Sequence, residues 1–317
     1  MTEAPEAVTL GEAMVLLLGE PGMPLAAACS YRRSVAGAES NVAIGLARLG
    51  HRVGWVGRVG DDTFGQVVLR RLRAEGVDVR GVRLDPAATG VLIRDCVGDR
   101  PVEVLYHRRE SAGAQLTAAD IDPAYVGAAR VVHLSGVTAL LGAGPRAAAA
   151  RAIDVARDAG TRVCFDANIR RRLAAPGRAQ ELIAPLAARA DIVLATEEEA
   201  GVLSGRAGDD AAADWFLERG ARLVVIKRGE RGSWATDGTR RWEQPAWPAT
   251  TIDPVGAGDA FVAGLLSAWL RDRAPQLALA EAAAVAALCV GVPTDVDGLP
   301  GAAERDARMA GETEVRR

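Results

Sequence analysis

The sequence contains few of the residues from which metal sites, disulfide frameworks and membrane spans are built. Its 317 residues include 4 scattered cysteines with no Cys-x-x-Cys pair, and only 3 histidines. This pattern predicts ordinary reduced thiols rather than a metal or disulfide framework. No run approaches the roughly 18 apolar residues of a membrane span, and residues 1–7 lack the basic segment of a secretory signal. We therefore expect a cytoplasmic protein with no membrane partner.

The charge balance is close to neutral, with a formal net charge of −3. Such a balance argues against a basic face for nucleic acid. Hydrophobic residues make up 49% of the chain and charged residues 25%, as is typical of a globular protein. The length suits one large α/β domain, or one domain with a small appendage.

The second half of the chain alternates short apolar segments with alanine-rich helical segments. This alternation is typical of βαβ units and a buried parallel sheet. A further helix is predicted over 278–290, and the last fifteen or so charged residues are expected to fray. The predicted strands cover 131–134, 163–165, 191–194 and 223–226.

The first half is less regular but also predicts paired strands and helices. The apolar run 8–18 predicts one strand, and 89–106 predicts a hairpin around 98–101. Two extended insertions, about 12–37 and 86–112, are expected to be too polar for the core. Further predicted elements are an exposed strand at 30–35, a helix ending at Gly50, a strand at 53–59 and a helix at 64–75. From these elements we predict one doubly wound α/β domain over 1–317.

A glycine-rich turn precedes a strongly apolar segment near the C-terminal end. Gly256, Ala257 and Gly258 lead into Asp259 and then into 260–270, which predicts a buried helix. Glycines allow the backbone to approach a ligand closely, and the first turn of a helix attracts anions. Asp259 is then either a helix cap or a base that takes a proton from an attacking hydroxyl.

The nine-residue string 253–261 closely resembles the signature of the ribokinase-like (PfkB) family of small-molecule kinases. In that family the Gly-Ala-Gly amides form an anion hole and the aspartate is the catalytic base. The resemblance therefore implies these roles for Gly256, Ala257, Gly258 and Asp259, with ATP and Mg²⁺ as partners. It also implies that the two insertions form a small β lid over the sugar site.

A second string, 37–41, resembles the family motif Gly-Gly-x-x-Asn, with Ala36 standing where the first glycine is usual. The resemblance implies that the Gly37 backbone and Asn41 lie near substrate hydroxyls. A simple helix cap is the alternative at these positions.

Two arginines suggest that the substrate is an acid. Tyr106 and Arg108 resemble the lid motif of family members that phosphorylate 2-keto-3-deoxygluconate, and Arg170 follows a buried strand where those members carry an arginine. Two guanidinium groups can hold a carboxylate. Period two predicts that Asp166, Asn168 and Arg170 share one face, although turn residues are an alternative.

Two positions bear on which substrate is used. Neutral-sugar members carry an aspartate where this chain has Leu16, and the sugar-acid members usually carry a tyrosine where it has Leu92. The galacto epimer is therefore an open alternative. The expected activity is ATP-dependent phosphorylation of a primary hydroxyl of 2-keto-3-deoxygluconate to give its 6-phosphate. The rival hypotheses are a kinase of fructose, ribose or a nucleoside, and a non-catalytic sugar sensor.

The nucleotide end is predicted from weaker strings. Lys227, Gly229 and Gly232 resemble a family turn that passes the ATP phosphates, with a plain hairpin turn as the alternative. Glu199 resembles the residue that organises Mg²⁺ through water, although Thr196 replaces the usual asparagine and helix N-terminal charge is the alternative. Asp295 lies where the resemblance implies that the family closes the adenine and substrate end of the site. A monovalent cation such as K⁺ is a further candidate, and an open lid edge favours a homo-oligomer.

Overall fold

The computed structural model describes residues 3–96 and 102–311, and its strands form two sheets. The first has nine strands in the order β13-β12-β11-β10-β9-β8-β1-β4-β5, and the second has four in the order β3-β2-β6-β7. Numbered in chain order, the strands are β1 Ala7–Leu10, β2 Met14–Gly19, β3 Tyr31–Ala36, β4 Val53–Gly60, β5 Val82–Asp85, β6 Val91–Arg94, β7 Val104–His107, β8 Val131–Ser135, β9 Arg162–Asp166, β10 Ile192–Thr196, β11 Leu223–Lys227, β12 Ser233–Thr236 and β13 Arg241–Gln244.

Helices cover both faces of the nine-stranded sheet. On one face α1, α2, α9 and α10 form a core, and on the other α3 to α8 form a second core. The α-helices are α1 Ala38–Arg48, α2 Thr63–Ala74, α3 Pro123–Gly127, α4 Gly136–Leu140, α5 Ala143–Ala159, α6 Pro176–Ala187, α7 Glu197–Ser204, α8 Asp209–Leu217, α9 Ala257–Leu270, α10 Pro275–Cys289 and α11 Ala302–Met309. No described helix is long and apolar enough to cross a membrane.

The pleat of the sheet explains why its strands are almost wholly apolar. In β10, Ile192 and Leu194 enter one core while Val193 and Ala195 enter the other. Successive side chains point to opposite faces, so a strand between two helical layers must be apolar at every position. The strands from β8 to β11 are parallel. The predicted doubly wound α/β fold is confirmed.

The second sheet, the lid sheet, is formed by strands that fall within the two predicted insertions. Its strands β6 and β7 pair antiparallel, as the predicted hairpin requires, and the predicted turn at 98–101 lies outside the described residues. The expectation that these insertions are too polar for the core is wrong for β2, where Val15 and Leu16 are fully buried. Val15 joins the main core and Leu16 packs within the lid, so β2 is covered on both faces.

The predicted single strand over 8–18 is also wrong. The chain leaves the main sheet after Leu10 and enters the lid sheet at Met14. At the break, the Gly11 N–H donates to the Val56 carbonyl at 3.0 Å. A continuous apolar run does not reveal which sheet each half joins, because both halves are buried.

The C-terminal region differs from the expected frayed tail. Residues 302–309 form α11, and Arg305 is buried with its guanidinium 3.1 Å from Glu281 Oε1 on α10. Charge alone predicted solvation, but this arginine finds a buried acidic partner that is distant in sequence. The predicted tail beyond residue 311 lies outside the described residues.

Candidate active site

The glycine turn sits at the N-terminus of α9. Gly256 caps the helix with φ 89°, a left-handed conformation that favours glycine, and Ala257 and Gly258 begin the helix. A side chain at Gly256 would meet the backbone of Asp295, since an added Cβ would lie 2.6 Å from its carbonyl oxygen. The turn therefore needs glycine both for its backbone conformation and for close packing.

Asp259 lies in the first turn of α9 and is buried. Because Gly256 is the cap, Asp259 is not the helix cap that was one alternative. Its Oδ2 instead accepts a hydrogen bond from Asn41 Nδ2 at 2.8 Å. Burial raises the pKa of Asp259 to about 7, against the opposing effects of Asn41 and the Arg170 charge. A carboxyl group with such a pKa can exchange a proton near neutral pH.

Asn41 and Gly37 reach the site from α1. The helix begins at Ala38 with Gly37 as its cap, so Asn41 lies inside the helix and is free to bond Asp259. Gly37 has φ 147°, and an added Cβ would lie 2.2 Å from the Glu12 carbonyl oxygen. The second glycine string is thus a place where two backbone segments meet beside the carboxylate.

A cavity of about 190 Å³ lies between the lid sheet and the N-terminus of α9. It brings together residues that are far apart in the chain, and all seven sequence-predicted substrate residues line it. Its polar and glycine lining consists of Glu12, Gly37, Asn41, Arg94, Tyr106, Arg108, Arg170, Gly256, Asp259 and Asp295. Leu92 lines the same cavity.

Arg108 is held from the lid side by a residue that the sequence prediction passed over. Its guanidinium forms an ion pair with Glu12, which is 2% exposed and also accepts from the Ser111 hydroxyl. The guanidinium carbon also lies 5.5 Å from the centre of the Tyr106 ring. Glu12 had a visible signal, because it is an acid inside an otherwise apolar run.

Arg170 reaches the cavity from the loop after β9. No ion pair to its side chain is found within residues 3–96 and 102–311. The predicted strand face through Asp166, Asn168 and Arg170 is wrong, because β9 ends at Asp166 and Asn168 has φ 35°. A backbone turn therefore brings Arg170 to the cavity, while Asp166 turns to a different partner.

That partner is Lys227, whose Nζ lies 2.7 and 2.8 Å from the two carboxylate oxygens of Asp166. Lys227 ends β11, and an added Cβ on Gly258 would lie 4.0 Å from its Nζ. The ammonium is therefore held beneath the glycine turn rather than within the following turn of Gly229 and Gly232. It is the only lysine in a chain with 38 Lys and Arg residues.

Glu199 is occupied by backbone donors. One carboxylate oxygen accepts from the Thr196 N–H and the other from the Ile169 N–H, both at 2.8 Å. Thr196 is the cap of α7, and its hydroxyl oxygen accepts a hydrogen bond from the Glu199 N–H. The two residues therefore form a capping box. The described residues contain no group of three or more His, Cys, Asp or Glu that could hold a metal by themselves.

Asp295 forms an ion pair with Arg94, a second cavity-lining residue missed from the sequence. Arg94 Nη2 lies 3.0 Å from Asp295 Oδ1 and 2.6 Å from Asp253 Oδ2. Burial raises the pKa of Asp295, and the Arg94 charge opposes this rise. The signal for Arg94 was a lone charge at the end of the apolar strand β6.

The doubly wound sheet, the lid and the buried carboxylate beside a helix N-terminus define a ribokinase-like small-molecule kinase. A family model for pfkB family carbohydrate kinases matches residues 5–301. The chain therefore belongs to the pfkB family of carbohydrate kinases.

Named relatives are similar over almost the full chain. A 2-dehydro-3-deoxygluconokinase of Bacillus subtilis is 35% identical over 93% of this chain and 92% of its own length. A 2-dehydro-3-deoxygalactonokinase of Haloferax volcanii is 33% identical over 89% of this chain and 90% of its own. A putative Ribokinase II of E. coli, solved in complex with ATP and Mg²⁺, matches with a TM-score of 0.91 at 25% identity, covering 97% and 99% of the two chains.

Proposed function

We propose that this kinase transfers the γ-phosphoryl group of ATP to a primary hydroxyl of a small sugar acid. The proposed substrate is 2-keto-3-deoxygluconate, which would become its 6-phosphate. One observation carries the proposal: a single cavity holds the guanidinium groups of Arg108 and Arg170 together with the buried carboxyl of Asp259. The names of the Bacillus and Haloferax relatives support a keto-deoxy sugar acid as the acceptor.

The charges that line the cavity favour an anionic substrate. Arg108 is paired with Glu12, and Arg94 with two acids, so among the described cavity-lining cations only Arg170 forms no ion pair. A substrate carboxylate would supply the missing charge, and a bidentate guanidinium–carboxylate pair is both strong and directional. The carboxylate would bind Arg170 first and accept a further hydrogen bond from Arg108.

The remaining lining residues would orient the sugar. Tyr106 would pack against it and donate a hydrogen bond, while the Gly37 backbone, Asn41 and Asp295 would meet its hydroxyls. Such positioning supplies much of the rate in phosphoryl transfer, because the reaction itself needs little covalent chemistry from the protein.

Asp259 is the proposed base. Its buried carboxylate would take the proton of the attacking hydroxyl, and a pKa of about 7 leaves a large deprotonated fraction at neutral pH. The amides of Gly256, Ala257 and Gly258 would stabilise the charge on the transferred group. Lys227, held beneath this turn by Asp166, would add a fixed positive charge.

The nucleotide would approach along the turn that contains Gly229 and Gly232, both with positive φ. Mg²⁺ bound with the phosphates neutralises their charge. Glu199 is the proposed residue that would meet this ion through water, since each of its oxygens accepts one backbone N–H and keeps a further lone pair. A monovalent cation such as K⁺ remains a candidate activator, to be tested by exchanging K⁺ for Na⁺ in the assay.

The galacto epimer is the second candidate substrate, and Leu92 is the observation that favours it. Leu92 lines the cavity at a position where a tyrosine hydroxyl is usual among the sugar-acid members. The loss of that hydroxyl would weaken selection of one epimer over the other. The Haloferax relative is named for the galacto compound.

The deciding experiment is a coupled ADP-release assay with Mg·ATP. It compares 2-keto-3-deoxygluconate, its galacto epimer, fructose and ribose at matched concentrations. Turnover confined to the two keto-deoxy acids would support the arginine argument. Turnover on a neutral sugar would overturn that argument, and no turnover on any of the four would favour a sugar sensor or another acceptor.

The lid also supports a proposed homo-oligomer. Strands β3 and β7 are the two edges of the lid sheet, and Tyr31 and Leu105 on them are 43% and 45% exposed. An open edge can pair with a second copy of the chain. Sedimentation velocity over a range of concentrations tests this, and a monomer throughout would contradict it.

A further inference from the structure

Arg94 makes a buried contact between the lid and the glycine turn. Arg94 is the last residue of β6 in the lid sheet, and its side chain is 1% exposed. One nitrogen, Nη2, lies between two buried carboxylates, at 2.6 Å from Asp253 Oδ2 and 3.0 Å from Asp295 Oδ1. Burying three charges is costly, and an apolar group in their place is often as stable. The cluster therefore calls for a reason other than stability.

The two carboxylates lie on either side of the anion-hole turn. Asp253 opens the turn, and its other oxygen accepts the Val255 N–H at 3.0 Å. Asp295 packs its backbone against Gly256, where an added Cβ would lie 2.6 Å from its carbonyl oxygen. Both residues therefore hold the segment whose amides are proposed to face the transferred group.

We infer that Arg94 is a positioning residue for phosphoryl transfer. It ties the lid, which covers the sugar, to the turn that carries the anion hole, and so sets the distance between acceptor hydroxyl and phosphoryl group. The inference rests on the proposed kinase reaction but not on which sugar is the acceptor. Without the guanidinium, two buried carboxylates face each other with no cation between them, and their repulsion moves the turn.

Arg94 also lines the substrate cavity, which gives a competing role as a direct substrate ligand. Its Nη1 has only a 3.4 Å bond to the Asp95 carbonyl, and its Nε is buried without a hydrogen-bond partner among the described residues. The two roles separate in kinetics. A lost ligand raises KM for the sugar, whereas a displaced anion hole lowers kcat.

Arg48 offers a matched control. It bonds Glu75 and the carbonyls of Val296 and Leu299, so it fixes the chain just beyond Asp295. It is multiply paired like Arg94, but it is only partly buried and lies outside the cavity lining. A variant at Arg48 loosens the chain beyond Asp295 without removing the contacts of Arg94 to Asp253 and Asp295.

The test compares Arg94→Met, Arg94→Lys and Arg48→Met in the full chain with Mg·ATP and whichever sugar the wild type turns over. We expect Arg94→Met to lower kcat about 100-fold with both KM values within about threefold, and Arg48→Met to stay within about threefold in kcat. Arg94→Lys should retain about tenfold more activity than Arg94→Met, because an ammonium can still contact both acids. A second substitution, Asp253→Asn, should recover part of the loss in Arg94→Met, because it removes one of the two facing charges.

A second readout does not depend on turnover. Hydrogen exchange of the amides in 253–259 should speed up in Arg94→Met and remain at the wild-type rate in Arg48→Met. If Arg94→Met does not fold, Arg94→Lys carries both measurements. A rise in the KM for sugar at unchanged kcat would overturn the proposal and make Arg94 a direct substrate ligand. Unchanged kinetics and unchanged hydrogen exchange would also overturn it, because Arg94 would then contribute only to packing. A wild type that is inactive on every sugar would refute the proposed function, and the exchange comparison would still decide the placement of the turn.

Discussion

The site has two ends: the base end, around Asp259 and Lys227, and the lid end, around the strands of the lid sheet and the loop of Arg170. The two ends hold their charged groups in different ways. At the base end, Asp259 and Asp166 are buried, and each has a polar partner fixed by the helices and strands of the large sheet. At the lid end, Tyr106 is 39% exposed on the edge strand β7, and Arg170 lies on an exposed loop. The carboxylates at one end are enclosed by the fold, whereas Tyr106 and Arg170 at the other end face solvent.

This difference matches the two tasks of a sugar kinase. A group shielded from water keeps its charge interactions strong and its pKa shifted, as phosphoryl transfer requires for any acceptor. An exposed edge strand and loop can vary without disturbing the core, so they suit the choice of substrate. We therefore expect substitutions at the base end to lower kcat and substitutions at the lid end to raise the KM for sugar.

The largest effect is expected for Asp259→Asn. Removing the proposed base should lower kcat by about 10³-fold or more while ATP binding stays nearly intact. Steady-state kinetics with a nucleotide-binding measurement test this. Asp210→Asn is the control, because Asp210 also lies in the first turn of a helix but is exposed. An active Asp259→Asn protein would remove the proposed mechanism.

The next effect is expected at Lys227. Lys227→Arg should lower kcat about 100-fold, because a planar guanidinium does not fit the space of a partly buried ammonium that contacts both oxygens of Asp166. Arg222→Lys, an exposed exchange at the start of the same strand region, is the reverse control. If Lys227→Arg is as active as wild type, the base end is less constrained than its geometry suggests.

The lid end should respond differently. Arg170→Gln should raise KM for the sugar acid by about 10- to 100-fold, the value of a charge-assisted pair, with a smaller change in kcat. Arg109→Gln is the control, since Arg109 is a neighbouring lid arginine that does not line the cavity of Asp259. A fall in kcat at unchanged KM would contradict the division between the two ends.

The pH dependence of kcat/KM tests the role of Asp259 without a mutation. Below the Asp259 pKa of about 7, kcat/KM should fall about tenfold per pH unit, and it should level off above that pKa. The effect of rising pH on the free energy of unfolding has the opposite sign to its effect on kcat/KM. Because the folded pKa is raised from 3.8, the native state binds more protons than the unfolded chain between these values, so this carboxyl lowers stability as pH rises through that range.

Thermal melts at several pH values measure that stability term. Asp259→Asn should melt higher than the wild type at pH 8 and with less pH dependence between pH 4 and 7. An acid limb that persists in a weakly active Asp259→Asn protein would assign the titration to another group.

The smallest effect is expected for Leu92→Tyr. The added hydroxyl should change the ratio of kcat/KM for the gluco and galacto acids by about 3- to 10-fold, the value of one neutral hydrogen bond. Leu92→Phe, which adds the ring without the hydroxyl, separates packing from hydrogen bonding. Equal shifts in both variants would show that the ring, not the hydroxyl, alters the choice of epimer.

Part of this molecule could be predicted from local patterns. The alternation of apolar strands with helices is repeated many times, so the parallel sheet and its flanking helices followed directly. The glycine turn before α9 was predictable too, because positive φ and close approach limit the choice of residue. Errors arose where the local pattern was right but the partner lay elsewhere, as for the run 8–18 and the helix α11.

The site shows the same division. By itself the sequence determined the residue types of the proposed anion hole, the carboxyl that follows it and the two arginines proposed to bind the substrate, because each lies in a short string with its own chemistry. Only the tertiary structure decided that Glu12 holds Arg108, that Lys227 pairs with Asp166, and that Arg94 lies between two acids. These contacts join residues separated by tens to hundreds of positions, and a buried charge takes whichever opposite charge the fold brings within reach.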